Sequence, residues 1–412
     1  MKKDLDSLMQ KFGIDVLLVV GAAQHNPAMV YLTGGGHITD ADLIKKRGEA
    51  PVLFHGSMER EEAMRTGLKT ISFSTYSMEA LMAEAGGDPS RVGAVRLKKM
   101  FADLGITGGN VAVYGEGNVG AYHTLLNMAE EEMPGVHFKG FLQDELLINA
   151  MMTKDADEID RVRQMGKITT EVVGKTADYL SEHRAKNGIL VHEDGTPVTI
   201  GEIKRLINLW LAERNAENPE GTIFAQGHDA GVPHSTGNAA SPLKLGEPIV
   251  FDIYPCEAGG GYFYDFTRTW CLDHASEKML SLYEQVMEVY KTLAAELKVN
   301  APYANTQRRA CELFEAMGHP TVLNTPSTER GYVHSIGHGV GLYIHEKPGS
   351  HLMSNAETDV LAPGTVFAME PGLYYPEEGL GVRIEDTYTV DALGKFEILA
   401  EYSKDLILPV RR

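Results

Sequence analysis

The stretch VFDIYPCEAGGGYFYDFTRTW, residues 250–270, predicts two antiparallel β-strands joined by a turn. Its two ends are rich in β-branched and aromatic residues, which favour strands, and consecutive glycines at 259–261 let the chain reverse between them. Asp252 and Asp265 then lie on paired strands, where side chains on one face are about 5 Å apart. Buried carboxylates this close repel each other unless a cation lies between them. The alternative is a pair of solvated acids that flank the turn.

A histidine-rich run and two later glutamates extend this pair into a candidate metal site. In HSIGHGVGLYIHE, residues 334–346, His338 stands between two glycines that leave its imidazole open to a metal or a substrate. Taken alone, each histidine of the run could equally be a core residue. Glu370 in MEPGLY and Glu385 in GVRIED stand in runs apolar enough to be buried strands, and buried glutamates are rare unless they are paired or bound to metal.

Together these residues provide four carboxylates and one imidazole: Asp252, Asp265, His338, Glu370 and Glu385. Such an oxygen-rich set of ligands suits two divalent ions with carboxylates bridging them. Mn²⁺, Fe²⁺, Co²⁺ and Zn²⁺ are the candidates. The two aspartates come from one part of the chain and the other three residues from a later part. The sequence therefore predicts a site where two halves of a domain meet.

The order of predicted elements in the carboxy-terminal part supports two such halves. Apolar residues at helical spacing, followed by strand-like runs, occur twice. The first set comprises helices at about 155–183 and 200–214 and strands within 247–271; the second comprises helices at 276–298 and 304–317 and strands at 332–345 and 365–388. This α-α-β-β order predicts two halves about a pseudo-twofold axis. Two turn signals at 187–198 predict a hairpin insertion.

The amino-terminal part alternates short strand-like runs with helical ones and predicts a separate α/β domain. The strand candidates are 16–20, 51–55, 70–73 and 111–114. Near residue 150 the sequence changes character and leads into the first long amphipathic helix. We therefore expect two domains, at residues 1–148 and 149–412.

Composition narrows the function classes. The chain has 412 residues with 57 acidic and 38 basic side chains, a formal charge of −19, which argues against nucleic-acid or anionic-membrane partners. Three cysteines in this length argue against a secreted disulfide scaffold. The first residues lack the apolar region of a signal peptide, and no run approaches the roughly 20 apolar residues that span a bilayer. We expect a soluble, cytoplasmic protein.

The order Asp, Asp, His, Glu, Glu in these contexts resembles the dinuclear metallopeptidases of the pita-bread fold (family M24). PHSTG (residues 233–237), GHGVGLYIHE, MEPGLY and GVRIED are most similar to the branch of aminopeptidase P and the Xaa-Pro dipeptidases (prolidases). The resemblance covers about residue 150 to the end. YLTGGG, residues 31–36, also resembles the amino-terminal domain of that branch. The implied fold is an α/β amino-terminal domain followed by an α+β pita-bread catalytic domain.

The resemblance also implies roles for individual residues. The metal ligands would be the five residues named above, binding two divalent ions, with manganese favoured and cobalt, iron or zinc as alternatives. His234 and His345 match non-ligand histidines that hold the substrate carbonyl and the transition-state oxyanion. Glu370 would also transfer a proton, and Arg383 matches an arginine behind the ligands. The substrate would be a short proline-containing peptide cleaved at its amino-terminal Xaa-Pro bond, and the protein would be a homodimer.

The chain departs from this family at the first hairpin. Asp265 follows Asp252 by 13 positions, about two more than usual, and DIY stands where the family usually has D-x-G. The longer turn lies at the cleft edge and bears on the substrate and not on the metals, so two alternatives of the same fold stay open: a dimethylsulfoniopropionate lyase and an ectoine-type ring hydrolase. A non-catalytic pita-bread binding protein is disfavoured, because all five ligand positions are filled.

Overall fold

A computed structural model describes residues 4–411 and divides the chain into two compact units. The first unit comprises residues up to Met151 together with Gly259–Gly261, and the second comprises Met152–Ala258 and the residues from Tyr262 onward. The expected domain boundary between 148 and 149 stays a prediction. Among residues 4–411, no helix is long and apolar enough to cross a membrane.

The first unit is built on one mixed sheet with the strand order β4-β3-β2-β1-β5-β6. β1 is the wholly buried run VLLVV, which pairs antiparallel with β2 and parallel with β5. The four strand candidates lie on β1, β3, β4 and β5, whereas β2 and β6 were not expected. The elements are α1 (Leu5–Lys11), β1 (Val16–Val20), α2 (Pro27–Thr33), β2 (Ala41–Lys46), β3 (Val52–His55), α3 (Arg60–Arg65), β4 (Lys69–Ser72), α4 (Met78–Glu84), α5 (Val92–Asp103), β5 (Gly109–Gly115), α6 (Val119–Glu132), β6 (Val136–Lys139) and α7 (Leu147–Met152).

Four long helices of the second unit lie where the periodicity predicts them. They are α8 (Ala156–Glu182), α9 (Ile200–Ala212), α10 (Glu277–Glu296) and α11 (Tyr303–Ala316). Asp155 begins α8 with a capping box to Glu158, and the side chains of Thr199 and Ser276 cap α9 and α10, which satisfies amide groups that have no partner within a helix. The predicted helices are confirmed.

The strands of the second unit form two main sheets, with the orders β10-β11-β13-β19 and β14-β17-β18. The hairpin insertion predicted at 187–198 is partly present: its first turn, where Asn187 and Gly188 have φ of 51° and 78°, joins β7 to β8, but β7 precedes the predicted bounds. The strands are β7 (Arg184–Lys186), β8 (Ile189–Val191), β9 (Ala216–Glu217), β10 (Thr222–Gln226), β11 (Pro248–Ile253), β12 (Cys256–Glu257), β13 (Phe266–Leu272), β14 (Val366–Met369), β15 (Gly372–Tyr375), β16 (Leu380–Arg383), β17 (Asp386–Val390), β18 (Phe396–Ile398) and β19 (Ile407–Leu408).

The expected strand at 332–345 is wrong. This segment is irregular, with isolated bridges only. The chain folds back on itself, because Gly339 and Glu346 exchange two backbone hydrogen bonds of 3.0 Å. A Cβ atom at Gly339 would lie 1.9 Å from the carbonyl oxygen of Lys347, so only glycine permits this approach. His345 therefore lies on a closed loop and not on one strand with His338.

Candidate metal centre

The first two carboxylates of the site come from the hairpin of β11 and β13. Asp252 lies opposite Thr267 in the ladder, and Asp265 stands two positions before Thr267 and just ahead of β13. Residues two apart along an extended chain share a face. Asp252 and Asp265 are 8% and 5% exposed. The arrangement expected from the sequence, two buried aspartates on one face, is present.

Residues on both sides of the longer turn between these aspartates form hydrogen bonds with other parts of the second unit. Glu257 receives hydrogen bonds of 3.0 and 2.6 Å from the Nε and Nη2 atoms of Arg161 on α8. Across the turn, the Phe263 N–H donates to the Gly341 carbonyl at 2.8 Å. Phe263 therefore connects this turn to the loop that carries His345.

His338 is oriented by the backbone beside β14. Its carbonyl accepts from the Ala368 N–H at 2.8 Å, and its Nδ1 faces the Gly339 carbonyl at 3.0 Å. Nε2 therefore faces the acids, 3.4 Å from Asp265 Oδ2 and 3.6 Å from Glu370 Oε1. Burial disfavours the charged imidazole, but the hydrogen bond and charge of Asp265 outweigh it and raise the pKa of His338 to about 9.

The two glutamates enter the cluster from strand ends. Glu370 directly follows β14, and Glu385 lies between β16 and β17, where Oε2 accepts a hydrogen bond of 2.6 Å from Thr267. Burial raises the pKa of Glu370 to about 7. Burial, together with the charge of Asp265, raises the pKa of Glu385 well above its ordinary value. Burial therefore disfavours the charged form of both carboxyl groups unless a cation compensates for it.

These side chains fit a divalent metal ion. Asp265, His338 and Glu385 each offer a ligand atom, and the three atoms lie within 4.8 Å of one another. Oδ1 of Asp252 and Oε1 of Glu385 are buried, and neither has a hydrogen-bond partner within residues 4–411. Buried polar atoms are nearly always paired, so a cation is the missing partner that this donor set favours.

Arg383 lies behind the cluster. It is 3% exposed, and its Nη2 donates to Asp252 Oδ2 at 2.5 Å. Nη1 donates to the Tyr374 hydroxyl at 2.8 Å and to the Pro233 carbonyl at 3.2 Å. Among the described residues, Arg383 is the one arginine or lysine that forms an ion pair with the cluster. It holds one carboxylate in place and connects it to the loop of His234.

Sequence reasoning gave no role to His334 or Tyr374, which the structure places at the site. His334 Nε2 lies 2.9 Å from the Tyr374 hydroxyl, and Nδ1 lies 4.0 Å from Glu370 Oε2. Burial and the charge of Arg383 lower the pKa of His334 to about 3, so this ring is neutral at pH 7. The available signal was its place in the run HSIGHGVGLYIHE, four residues before His338.

His234 and His345, the two histidines predicted to contact substrate, are both exposed. The His345 ring centroid is 4.2 Å from that of His338. Partial desolvation and the charge of His338 lower the pKa of His345 to about 4, so it is a neutral hydrogen-bond donor at pH 7. Their roles towards substrate stay predictions.

Comparisons with known proteins show the family and the fold. Residues 160–392 match the model of metallopeptidase family M24. A Xaa-Pro dipeptidase of Pyrococcus furiosus is 26% identical over 78% of this chain and 83% of its own length, and one of Pyrococcus horikoshii is 24% identical over 98% of each. The structure of an X-Pro aminopeptidase of Thermotoga maritima superposes with a TM-score of 0.74 and 21% identity, over 97% of this chain and 99% of that one. The predicted fold, an α/β domain followed by a pita-bread domain, is confirmed.

Proposed function

Because the chain belongs to metallopeptidase family M24, as the resemblance predicts, we propose that it hydrolyses the Xaa-Pro bond at the amino terminus of short peptides. The observation that carries the proposal is the buried acid cluster, in which Asp252 and Glu385 each keep an oxygen with no hydrogen-bond partner among residues 4–411. Full-length relatives carry the name Xaa-Pro dipeptidase, which supports this bond as the one cleaved.

The metal is part of the proposal. The five cluster residues Asp252, Asp265, His338, Glu370 and Glu385 would hold two divalent ions, of which manganese is our choice, with cobalt, iron or zinc as alternatives. Such ions lower the pKa of a water molecule towards neutrality and so supply a nucleophile at pH 7. A homodimer, a cytoplasmic location and the domain boundary at 148/149 belong to the same proposal. Light scattering of the purified protein tests the dimer.

The chain's own residues would bind substrate and move protons. Glu370, at the end of β14 beside His338, would accept a proton at its carboxyl group and deliver it to the leaving imino nitrogen. His345 and His234 can donate hydrogen bonds to the oxygen on which negative charge develops. Arg383 would act through Asp252, which it fixes at 2.5 Å, and not by contact with the peptide.

The proposal is tested with matched substrates. Purified protein is loaded separately with Mn²⁺, Co²⁺, Fe²⁺ or Zn²⁺ and given Xaa-Pro dipeptides and tripeptides beside the corresponding Xaa-Ala peptides. We expect cleavage between residues one and two of the proline peptides and much weaker cleavage of the alanine peptides, since a pocket for the proline ring loses packing and orientation with alanine. Turnover of a sulfonium or cyclic compound with no peptide cleavage would contradict the assignment and leave the fold intact.

A further inference from the structure

A buried ion pair lies beside His345 and outside the acid cluster. Lys154 Nζ contacts Glu346 Oε1, and the two side chains are 1% and 0% exposed. Both charged groups are removed from water, and in many proteins this desolvation penalty exceeds the Coulomb attraction between the two charges. Such a pair is therefore weak evidence for overall stability, and its place next to a functional residue becomes the informative feature.

The Glu346 carboxylate occupies the inside of the closed loop 339–346. Beyond the two backbone hydrogen bonds that join Gly339 and Glu346, Oε2 of Glu346 lies 3.5 Å from the N–H of Tyr343. A Cβ atom added to Gly341 would lie 2.3 Å from Oε1, so the loop backbone passes directly over the carboxylate. The loop is thus wrapped around one negative charge, and His345 is the residue next to it.

Lys154 is fixed at its backbone as well. Its N–H donates to the Gly364 carbonyl at 2.8 Å, and Thr153 forms an isolated bridge with Thr365, immediately before β14. β14 is also the strand whose Ala368 N–H binds the His338 carbonyl. Lys154 therefore connects the strand that orients His338 to the loop that carries His345.

We infer that the Lys154–Glu346 pair is a positioning element that sets the His345 imidazole beside His338. His345 is covalently next to Glu346, so a shift of the carboxylate moves the imidazole and changes the ring separation of 4.2 Å. The inference rests on the proposed function, in which His345 contacts substrate. Lys154 and Glu346 themselves act only through His345.

A double-mutant cycle tests this route of action. In metal-loaded protein, Lys154→Met should lower kcat for a Xaa-Pro dipeptide about tenfold, with KM and metal content unchanged, since small displacements of a reacting group are costly. In the His345→Ala background the same change should cost no more than about twofold, because residues that act through one another are not additive. Equal losses in both backgrounds would overturn the inference.

Two further variants guard against a folding defect. Glu346→Gln keeps the shape of the side chain and removes its charge, so it replaces Lys154→Met in the cycle if that protein does not fold. Lys244→Met is the matched control, because Lys244 pairs with Glu247 in an ion pair whose side chains are 53% and 38% exposed. Exposed pairs contribute little, and we expect wild-type kcat from this control.

A readout without catalysis separates the inference from the proposed function. In histidine-labelled protein, the His345 ring signal, assigned by its loss in His345→Ala, should shift in Glu346→Gln and stay in place in Lys244→Met. A shift in a protein that cleaves no Xaa-Pro peptide would defeat the proposed function and keep the positioning role. Peptidase activity with an unmoved signal and unchanged kcat in Glu346→Gln would defeat the positioning role alone.

Discussion

Glu385 and Asp386 are neighbours in the chain, and both are buried carboxylates. They differ in the charges around them, because Asp386 lies beside cations and Glu385 lies among other acids. Glu385 belongs to the acid cluster and takes its hydrogen bond from Thr267. Asp386 forms an ion pair with Arg268, the residue that follows Thr267 on β13. Successive side chains of a strand point to opposite faces. β13 therefore binds one carboxylate on each face, Glu385 through Thr267 and Asp386 through Arg268.

The charge of the Asp386 carboxylate is neutralised by the protein itself. Arg268 Nη2 lies 2.7 Å from Oδ1, and Lys404 Nζ lies 2.6 Å from Oδ2, which also accepts a hydrogen bond from the Tyr290 hydroxyl. Arg268 further donates to the Glu385 carbonyl at 2.7 Å. Every polar oxygen of Asp386 has a partner, and the cluster needs nothing from outside.

The acid cluster has the opposite balance, with four carboxylates against Arg383 and the imidazole of His338. Oε1 of Glu385 has no hydrogen-bond partner among residues 4–411. The comparison teaches that buried charge alone does not mark a functional site. A surplus of one sign, together with oxygens that the protein leaves unpaired, does.

The largest expected difference between the two clusters is in metal binding and turnover. Glu385→Gln removes a ligand charge, and we expect loss of bound metal and a fall in Xaa-Pro turnover of at least about 10³-fold, because the metal supplies the nucleophile. Elemental analysis and kcat check this. Asp386→Asn, the same change one residue along, should retain its metal at a temperature where it is folded. Equal metal content in both variants would refute the distinction.

The second difference is in stability. Asp386→Asn leaves the buried Arg268 without its counter-charge, and breaking a buried pair from one side costs about 3 to 5 kcal/mol. Urea unfolding followed by circular dichroism measures the free energy of unfolding. A loss below about 1 kcal/mol would mean that this cluster, too, is not needed by the fold.

Much of this comparison could be predicted from the sequence, and the reason is periodicity. Helices α8 to α11 follow from apolar residues at helical spacing, which is a local signal. The acidic residues and His338 followed from residue types that are expensive to bury. Both kinds of inference need only neighbouring residues, so one chain without relatives is sufficient for them.

What the sequence could not provide depends on contacts between distant segments. The expected strand at 332–345 fails because Gly339 packs against Lys347, a contact that alternation in the sequence does not report. The pairing of Arg383 with Asp252 joins residues 131 positions apart. Lys154 and Glu346, separated by 192 positions, gave no signal, since a lysine before a helix is usually solvated.

The third prediction concerns His345, which lies at the edge of the acid cluster without being one of its five proposed ligands. His345→Ala should leave metal content intact and lower kcat about 10²-fold, because it removes a hydrogen-bond donor for the developing oxyanion. His274, whose side chain is 63% exposed, is the matched control, and His274→Ala should behave as wild type. Parallel loss of metal and activity in His345→Ala would make His345 a ligand instead.

The smallest expected effect is a gain in the free energy of unfolding, opposite in sign to the loss predicted for Asp386→Asn, and it therefore tests the comparison most closely. In metal-free protein the carboxylates of the acid cluster repel one another, and burial together with Asp265 already disfavours the charged form of Glu385. Glu385→Gln removes the cost of burying or protonating this carboxyl group, while its amide oxygen can still accept from Thr267, so the metal-free variant should be more stable than metal-free wild type by about 1 to 2 kcal/mol. Urea unfolding in the presence of a chelator measures the difference.

Added Mn²⁺ should reverse the order of stability of the two proteins, because it stabilises only the protein that binds it. If Glu385→Gln destabilises the metal-free protein as Asp386→Asn does, both carboxylates serve the fold and the distinction between a balanced and an unbalanced cluster is lost.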